Sequence, residues 1–255
     1  MPRFVRVSVS VSQASFAATL VASTLGTFIA LSPPAPDPAV AQHTPSANDS
    51  DSDTLSRLGL TSSSFGKLAM TPLFLLSLHT ALLALYYPNI PASLLCHGRS
   101  NGNGFDINTK LLRWSAPTII PLTMILLLGI PLRLIPYGTL GRDFTFFLSA
   151  PDRLVTRGVY AYVQHPSYVG LVTLVLGNVM LLGRTDGVGS CWIPSRQHDK
   201  LRGLAKWVFG PVVVSALLFA LWTRVVEEER MLEREFGGEW RSWHERTARF
   251  IPGVF

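Results

Sequence analysis

Apolar and polar positions divide the chain into long uncharged runs joined by short polar connectors. Positions 68–87, 114–132, 158–183 and 207–223 each approach or exceed the roughly 20 apolar residues that a helix needs to cross a bilayer core. A fifth run, 7–31, is uncharged but diluted by serine and threonine, and it follows the basic start Met1-Pro2-Arg3-Phe4-Val5-Arg6. That layout fits a weak transmembrane span or a targeting segment for residues 1–31. The pattern predicts an all-α integral membrane protein with about five transmembrane helices.

The connectors sharpen this plan. Residues 32–66 are rich in Pro, Ser, Asp and Ala and read as a disordered linker. Transmembrane helices follow over 67–137, with a turn-rich loop at 96–108. Within 114–136, Pro117, Pro121, Pro131 and Pro136 predict a kinked helix whose freed carbonyls need other partners, and Arg133 near its end is expected to snorkel to the headgroups. Residues 138–255 form one region with two transmembrane helices and a C-terminal tail. The two spans, 168–183 and 207–223, form a hairpin, so the stretch 158–170 and the tail lie on the same side. After the last span the run Glu227-Glu228-Glu229-Arg230 and Glu233-Arg234-Glu235 continues as a helix outside the bilayer, with Arg224 one turn before Glu228. Phe236-Gly237-Gly238 stops it, and Trp240, Trp243 and Phe250 are expected to form the apolar stripe of a segment lying on the membrane surface.

Composition agrees with a membrane chain: 48% hydrophobic and 15% charged residues, with mean hydropathy +0.31, fall outside the range of soluble domains. The net charge of +6 comes from basic residues that mostly flank apolar runs. Anionic lipid headgroups, not nucleic acid, are the partner this distribution fits. Lys and Arg divide almost evenly between the two sides, so charge only weakly favours a cytoplasmic placement of the 158–170 stretch and the tail. Cys96 and Cys191 are far apart and lack metal-ligand spacing, so neither a disulfide nor a metal site is expected. With no Gly-rich turn after a strand, a Rossmann fold is excluded.

Candidate chemistry is concentrated between Gly158 and Gly170, where Tyr160, Tyr162, His165, Pro166 and Tyr168 crowd the start of an apolar run. Pro166 disfavours helical backbone at His165, which predicts an irregular turn at the membrane surface. Such a turn needs protein or ligand around it; an interfacial aromatic belt is the plainer alternative.

Leu140-Gly141-Arg142-Asp143-Phe144-Thr145, Leu154-Val155-Thr156-Arg157-Gly158-Val159-Tyr160, His165-Pro166-Ser167-Tyr168-Val169-Gly170, Glu227-Glu228-Glu229, Phe236-Gly237 and Phe250-Ile251-Pro252, in this order, resemble the isoprenylcysteine carboxyl methyltransferase family. The resemblance runs from Leu140 to Pro252. It implies a multi-pass enzyme of the endoplasmic reticulum membrane, with its catalytic side and helical tail cytosolic and the tail completing the cofactor pocket. The implied reaction is methylation, by S-adenosylmethionine, of the C-terminal carboxylate of prenylated cysteine in proteins, so prenylated protein C-termini and the lipid bilayer are the implied partners, and no metal is implied. By position, Asp152, Arg153, Leu154 and Val155 match the segment lining the cofactor site, Tyr160 its aromatic wall, and His165, Pro166, Ser167 and Tyr168 the signature turn. Glu228 matches a cofactor-contacting glutamate and Arg224 an arginine assigned to the substrate. Gln164 departs from the arginine many relatives carry before His-Pro, which removes a cation near the cofactor.

These residue types suit the reaction. An α-carboxylate is already ionised near neutral pH, so no strong base is required. Arg224 can hold it bidentately, and Tyr160 and Tyr168 can face a sulfonium. Arg224 and His165 are therefore assigned to the catalytic centre, His165 as a cofactor-positioning ligand. A membrane phospholipid N-methyltransferase would need a base and gain little from Arg224. A non-catalytic membrane scaffold would not need polar residues concentrated at one surface.

Overall fold

The computed structural model describes residues 9–32, 63–91, 94, 107–141, 151–192, 204 and 210–253. The linker expected over 32–66 and the loop over 96–108 lie mostly outside the described residues. Among those described, the architecture is helical: α1 Val11–Leu31, α2 Ser63–Tyr86, α3 Ala116–Leu140, α4 Pro166–Leu182, α5 Gly210–Phe236 and α6 Gly238–His244.

The first helix, expected as a weak span or targeting segment, is central to the packing. It starts on a capping box in which Ser10 and Gln13 satisfy each other's backbone amides. Its serines and threonines dilute the hydropathy because they lie at helix interfaces: Ser23, Thr24 and Thr27 are buried. Thr24 donates to Ser77 of α2 at 2.7 Å, and Asn178 of α4 donates to Thr27 at 3.2 Å. Small hydroxylated side chains let backbones approach closely and bond across apolar interfaces. Phe16 and Leu20 are fully buried, and Phe16 meets Trp114 edge-on at 5.4 Å.

The prolines of 114–136 produce the expected irregularity in a specific form. Between Met124 and Gly129 the turns of α3 widen to π geometry, and the next residues are Ile130 and Pro131, which has no amide hydrogen to continue the ladder. Arg133 does not reach for headgroups: it is 5% exposed. Its Nε donates to the Ala30 carbonyl at 3.2 Å, and Nη1 donates to Ser167 at the start of α4. The snorkelling expectation fails because the carbonyl at the end of α1 and the Ser167 hydroxyl give the guanidinium internal acceptors. Tyr137 donates to the same Ala30 carbonyl at 2.6 Å.

Glycine makes the α3–α4 contact possible. A Cβ on Gly170 would lie 2.8 Å from the Arg133 backbone nitrogen, and one on Gly177 would lie 2.6 Å from Ile125.

Two helices, Val11–Leu31 and Ala116–Leu140, are long and apolar enough to cross a membrane. Only 39% and 33% of their apolar windows are buried inside the protein, so most of that surface faces outward, unlike a core helix in water. Met70–Tyr86 and Pro166–Leu182 are shorter apolar helices. Among the described residues, two of the five expected spans thus meet the length requirement.

One sequence expectation is overturned at the far end of α4. Cys191 is disulfide-bonded, and the chain's other cysteine is Cys96. Distance along the sequence is a poor guide to contact at this end: Asn108 and Asp186, 78 residues apart, bond backbone to backbone at 2.9 Å and side chain to side chain at 3.0 Å. Arg184 closes this end with a two-pronged contact to Asp186, both at 2.8 Å.

Candidate active site

The irregular turn expected at His165 is present, and the C-terminal tail holds it. Gly158 takes a positive φ of 64°, which glycine adopts at little cost. One 3-10 turn, Gly158–Ala161, follows. Pro166 is the first residue of α4, where its missing amide hydrogen would have been unsatisfied anyway. The backbone between turn and helix needs partners, and residues 248–249 provide them. Ala248 donates to the Tyr162 carbonyl at 3.2 Å, Gln164 to the Ala248 carbonyl at 2.8 Å, and His165 to the Arg249 carbonyl at 3.0 Å.

Gln164 locks the same contact. Its side-chain amide donates to the carbonyls of His244 at 3.1 Å and Thr247 at 2.8 Å, and its Oε1 lies 2.9 Å from His244 Nδ1. At 4% exposure it serves as a peg between turn and tail. An arginine there would lack the acceptor oxygen that faces His244.

The extension of α5 brings its charges to the turn. Tyr168 donates to Glu228 Oε2 at 2.7 Å. His165 Nδ1 lies 3.9 Å from the same Oε2, and its Nε2 lies 3.4 Å from Glu229 Oε1. The ring is flanked by Tyr168 at 5.6 Å and Phe250 at 5.9 Å, centroid to centroid. Arg224, one turn before Glu228, is 6% exposed and interacts electrostatically with the Tyr168 hydroxyl. Arg249 clamps Glu229 through Nε and Nη2, each at 2.9 Å. Burial pushes the Glu229 carboxyl up, but the hydrogen bond and charge of His165 together with Arg249 outweigh it, leaving the group below its ordinary value.

An aromatic cluster forms the next wall. Tyr160, Leu232, Trp240 and Trp243 are buried together, with Leu154, Val155 and Met231 packed against them. Trp243 donates to the Tyr160 carbonyl at 2.8 Å, and Trp240 stacks on His244 at 4.4 Å. The expected membrane-surface stripe is therefore corrected: both tryptophans face inward, since the turn offers them more apolar area and a carbonyl for an indole. Burial and the nearby charge of Glu228 raise the Tyr160 hydroxyl above its usual range.

Of the residues singled out from sequence, His165, Pro166, Ser167, Tyr168, Arg224 and Glu228 converge at the start of α4. Tyr160, Leu154 and Val155 line the adjoining cluster, whereas Asp152 and Arg153 are exposed on the connector. Sequence reasoning missed the parts played by Glu229 and Arg249. Glu229 was legible in principle: with Val225 and Leu232 it forms an i, i+4, i+7 buried stripe. Arg249 carries no local signal, because its role arises from the return of the tail. Among the described residues no group of three or more His, Cys, Asp and Glu side chains is arranged to hold a metal ion.

Part of the chain is similar to known proteins. Residues 122–193 match the isoprenylcysteine carboxyl methyltransferase (ICMT) family, a stretch that includes most of α3, the signature turn and α4. The chain is 33% identical over 105 residues to a protein-S-isoprenylcysteine O-methyltransferase of Schizosaccharomyces pombe, covering 39% of this chain and 33% of that protein. It is 28% identical over 127 residues to one of Dictyostelium discoideum, covering 48% and 44%. The chain thus spans between a third and a half of the curated relatives it matches. No solved structure matches. The similarity therefore lies in one part of the chain, residues 122–193, which resembles the isoprenylcysteine carboxyl methyltransferase family.

Proposed function

We propose that this protein methylates the C-terminal carboxylate of prenylated cysteine with S-adenosylmethionine as methyl donor, as a multi-pass enzyme of the endoplasmic reticulum membrane whose catalytic side faces the cytosol. One observation carries the reading: the signature turn and the α5 extension, 60 residues apart in the chain, meet through Tyr168 and Glu228 at 2.7 Å with Arg224 beside them.

The donor set fits the cofactor. Glu228 can accept hydrogen bonds from ribose hydroxyls or an ammonium group, and the Tyr160 and Tyr168 rings present π-faces suited to a cation. Leu154 and Val155 add apolar wall. S-adenosylmethionine, when bound, supplies a methyl group on a sulfonium. Arg224 holds the acceptor carboxylate and fixes its direction. His165 needs to remove no proton, since the carboxylate is ionised already; it positions. Holding both reactants in line contributes the largest share, up to about 7–11 kcal/mol. The prenyl chain partitions into lipid at about 0.8 kcal/mol per buried CH₂, which suits a site at a membrane surface.

Cys191 supports the orientation. It is disulfide-bonded, as persists in the oxidising lumen of the endoplasmic reticulum and not in the cytosol. It follows the C-terminus of α4, whose 17 residues separate it from His165 by about 25 Å at 1.5 Å per residue.

The test is to incubate membranes containing the protein with methyl-labelled S-adenosylmethionine and N-acetyl-S-farnesylcysteine and to count base-labile methyl ester. Ester from the wild type that His165→Ala strongly reduces supports the reading. A folded, cofactor-binding wild type that forms no ester, and methylates phospholipid instead, overturns it.

A further inference from the structure

We infer that Glu229 and Arg249 are positioning residues for His165, a role that rests on the reading of His165 as a cofactor-positioning ligand. Two independent links run from Arg249 to residue 165. Its carbonyl accepts the His165 amide at 3.0 Å, and its guanidinium grips both oxygens of Glu229, whose Oε1 lies 3.4 Å from His165 Nε2. One residue of the tail thereby sets both the backbone position of His165 and, through Glu229, the direction of its ring.

The ring needs this. An imidazole can turn about its bond to Cβ and exchange its two nitrogens. Here Glu229 occupies the Nε2 side, leaving Nδ1 toward Glu228, 3.9 Å away. Phe250 and Tyr168 flank the ring without distinguishing the two nitrogens. Glu229 can do so only while it remains ionised and fixed in one rotamer. At 8% exposure it loses most of its hydration, and an unpaired carboxylate there would be costly. The guanidinium fork of Arg249 neutralises it and fixes its plane, which a lysine ammonium cannot do. Arg249 is itself supported by Trp222, 5.9 Å from its guanidinium carbon.

The experiment uses the full chain in detergent, comparing wild type, Arg249→Ala, Arg249→Lys, Glu229→Gln, Glu229→Ala and the Glu229→Ala/Arg249→Ala double variant. Three quantities are read: the Kd for S-adenosylmethionine by calorimetric titration, the KM for each substrate, and the thermal midpoint. Arg249→Ala is expected to weaken cofactor binding about tenfold, at the lower end for one lost charge-assisted hydrogen bond, with the KM for N-acetyl-S-farnesylcysteine unchanged. Arg249→Lys should recover part of the loss, and the double variant should be no worse than Glu229→Ala alone, since the two residues act as one unit. Unchanged cofactor Kd in folded Arg249→Ala overturns the inference, as do losses that add in the double variant. Should Arg249→Ala fail to fold, Arg249→Lys and Glu229→Gln decide: a raised Kd in both supports the inference, and a wild-type Kd in either overturns it. Because Kd is read directly, a wild type that binds the cofactor but forms no ester refutes the proposed function while leaving this test intact.

Discussion

Tyr168, in the first turn of α4, donates its hydroxyl hydrogen to Glu228 of α5 at 2.7 Å, joining the two helices within the candidate site. Glu228 also faces His165 Nδ1 at 3.9 Å, so the hydroxyl fixes which way its carboxylate points. Tyr168→Phe keeps the ring and removes only that donor. S-adenosylmethionine binding should weaken about ten- to hundredfold, the scale of one hydrogen bond to a charged group, with little change in thermal midpoint. A Kd equal to the wild type would mean that Glu228 is oriented by other contacts.

Arg224 and Glu228 lie one turn apart on α5, and the proposed chemistry divides their work. Arg224→Ala should raise the KM for N-acetyl-S-farnesylcysteine far more than that for S-adenosylmethionine, because it removes the carboxylate's anchor. Glu228→Ala should do the reverse, weakening cofactor binding in a titration. Equal effects of Arg224→Ala on both substrates, or unchanged cofactor affinity in Glu228→Ala, would defeat the respective assignment.

What could be read from sequence followed from local chemistry. Pro166 announced an irregular turn, Gly237 announced the end of α5, which stops at Phe236 with Gly237 at φ 50°, and the prolines of α3 announced its distortion. The misreadings came from contacts between distant segments. Arg133 near a helix end is a snorkelling residue until α1 supplies a carbonyl. Trp240 and Trp243 form a membrane stripe until Tyr160 and Leu232 give them an interior. Gln164 counted as a lost cation because its acceptors, His244 and Thr247, lie 80 and 83 residues away.

The Ala30 carbonyl, at the end of α1, receives hydrogen bonds from both Arg133 and Tyr137, and Arg133 in turn holds Ser167 of the signature turn. Deleting residues 1–32 would leave a buried guanidinium short of an acceptor and expose the faces of α2 and α3 that now bury Phe16 and Leu20. Losing a hydrogen bond to a charged group costs about 1.5–3 kcal/mol, and the unburied apolar faces add to it, so the truncated chain should lose its sharp, monodisperse profile in size-exclusion chromatography and its S-adenosylmethionine binding. A truncated chain that elutes and binds like the full one would show that the turn is held without α1.

Asp186, in the connector after α4, titrates at about 2, held down chiefly by its hydrogen bonds from Arg184 and opposed by partial burial, with Asn108 and the Arg184 charge adding to the effect. Its folded pKa lies below the unfolded value of about 3.9, so the ionised form favours folding. The sign follows from linkage: this contribution is fully present above about pH 4 and is lost as the pH falls toward 2, where the folded carboxylate takes up its proton. The Asp186 and Arg184 side chains are 30% and 37% exposed, so solvent screening keeps the effect modest. Thermal midpoints of detergent-solubilised protein measured from pH 6 down to pH 3 should fall more steeply for the wild type than for Asp186→Asn, with the difference between the two narrowing as the pH drops. Parallel curves would show that the Asp186 carboxylate contributes no proton-linked stability.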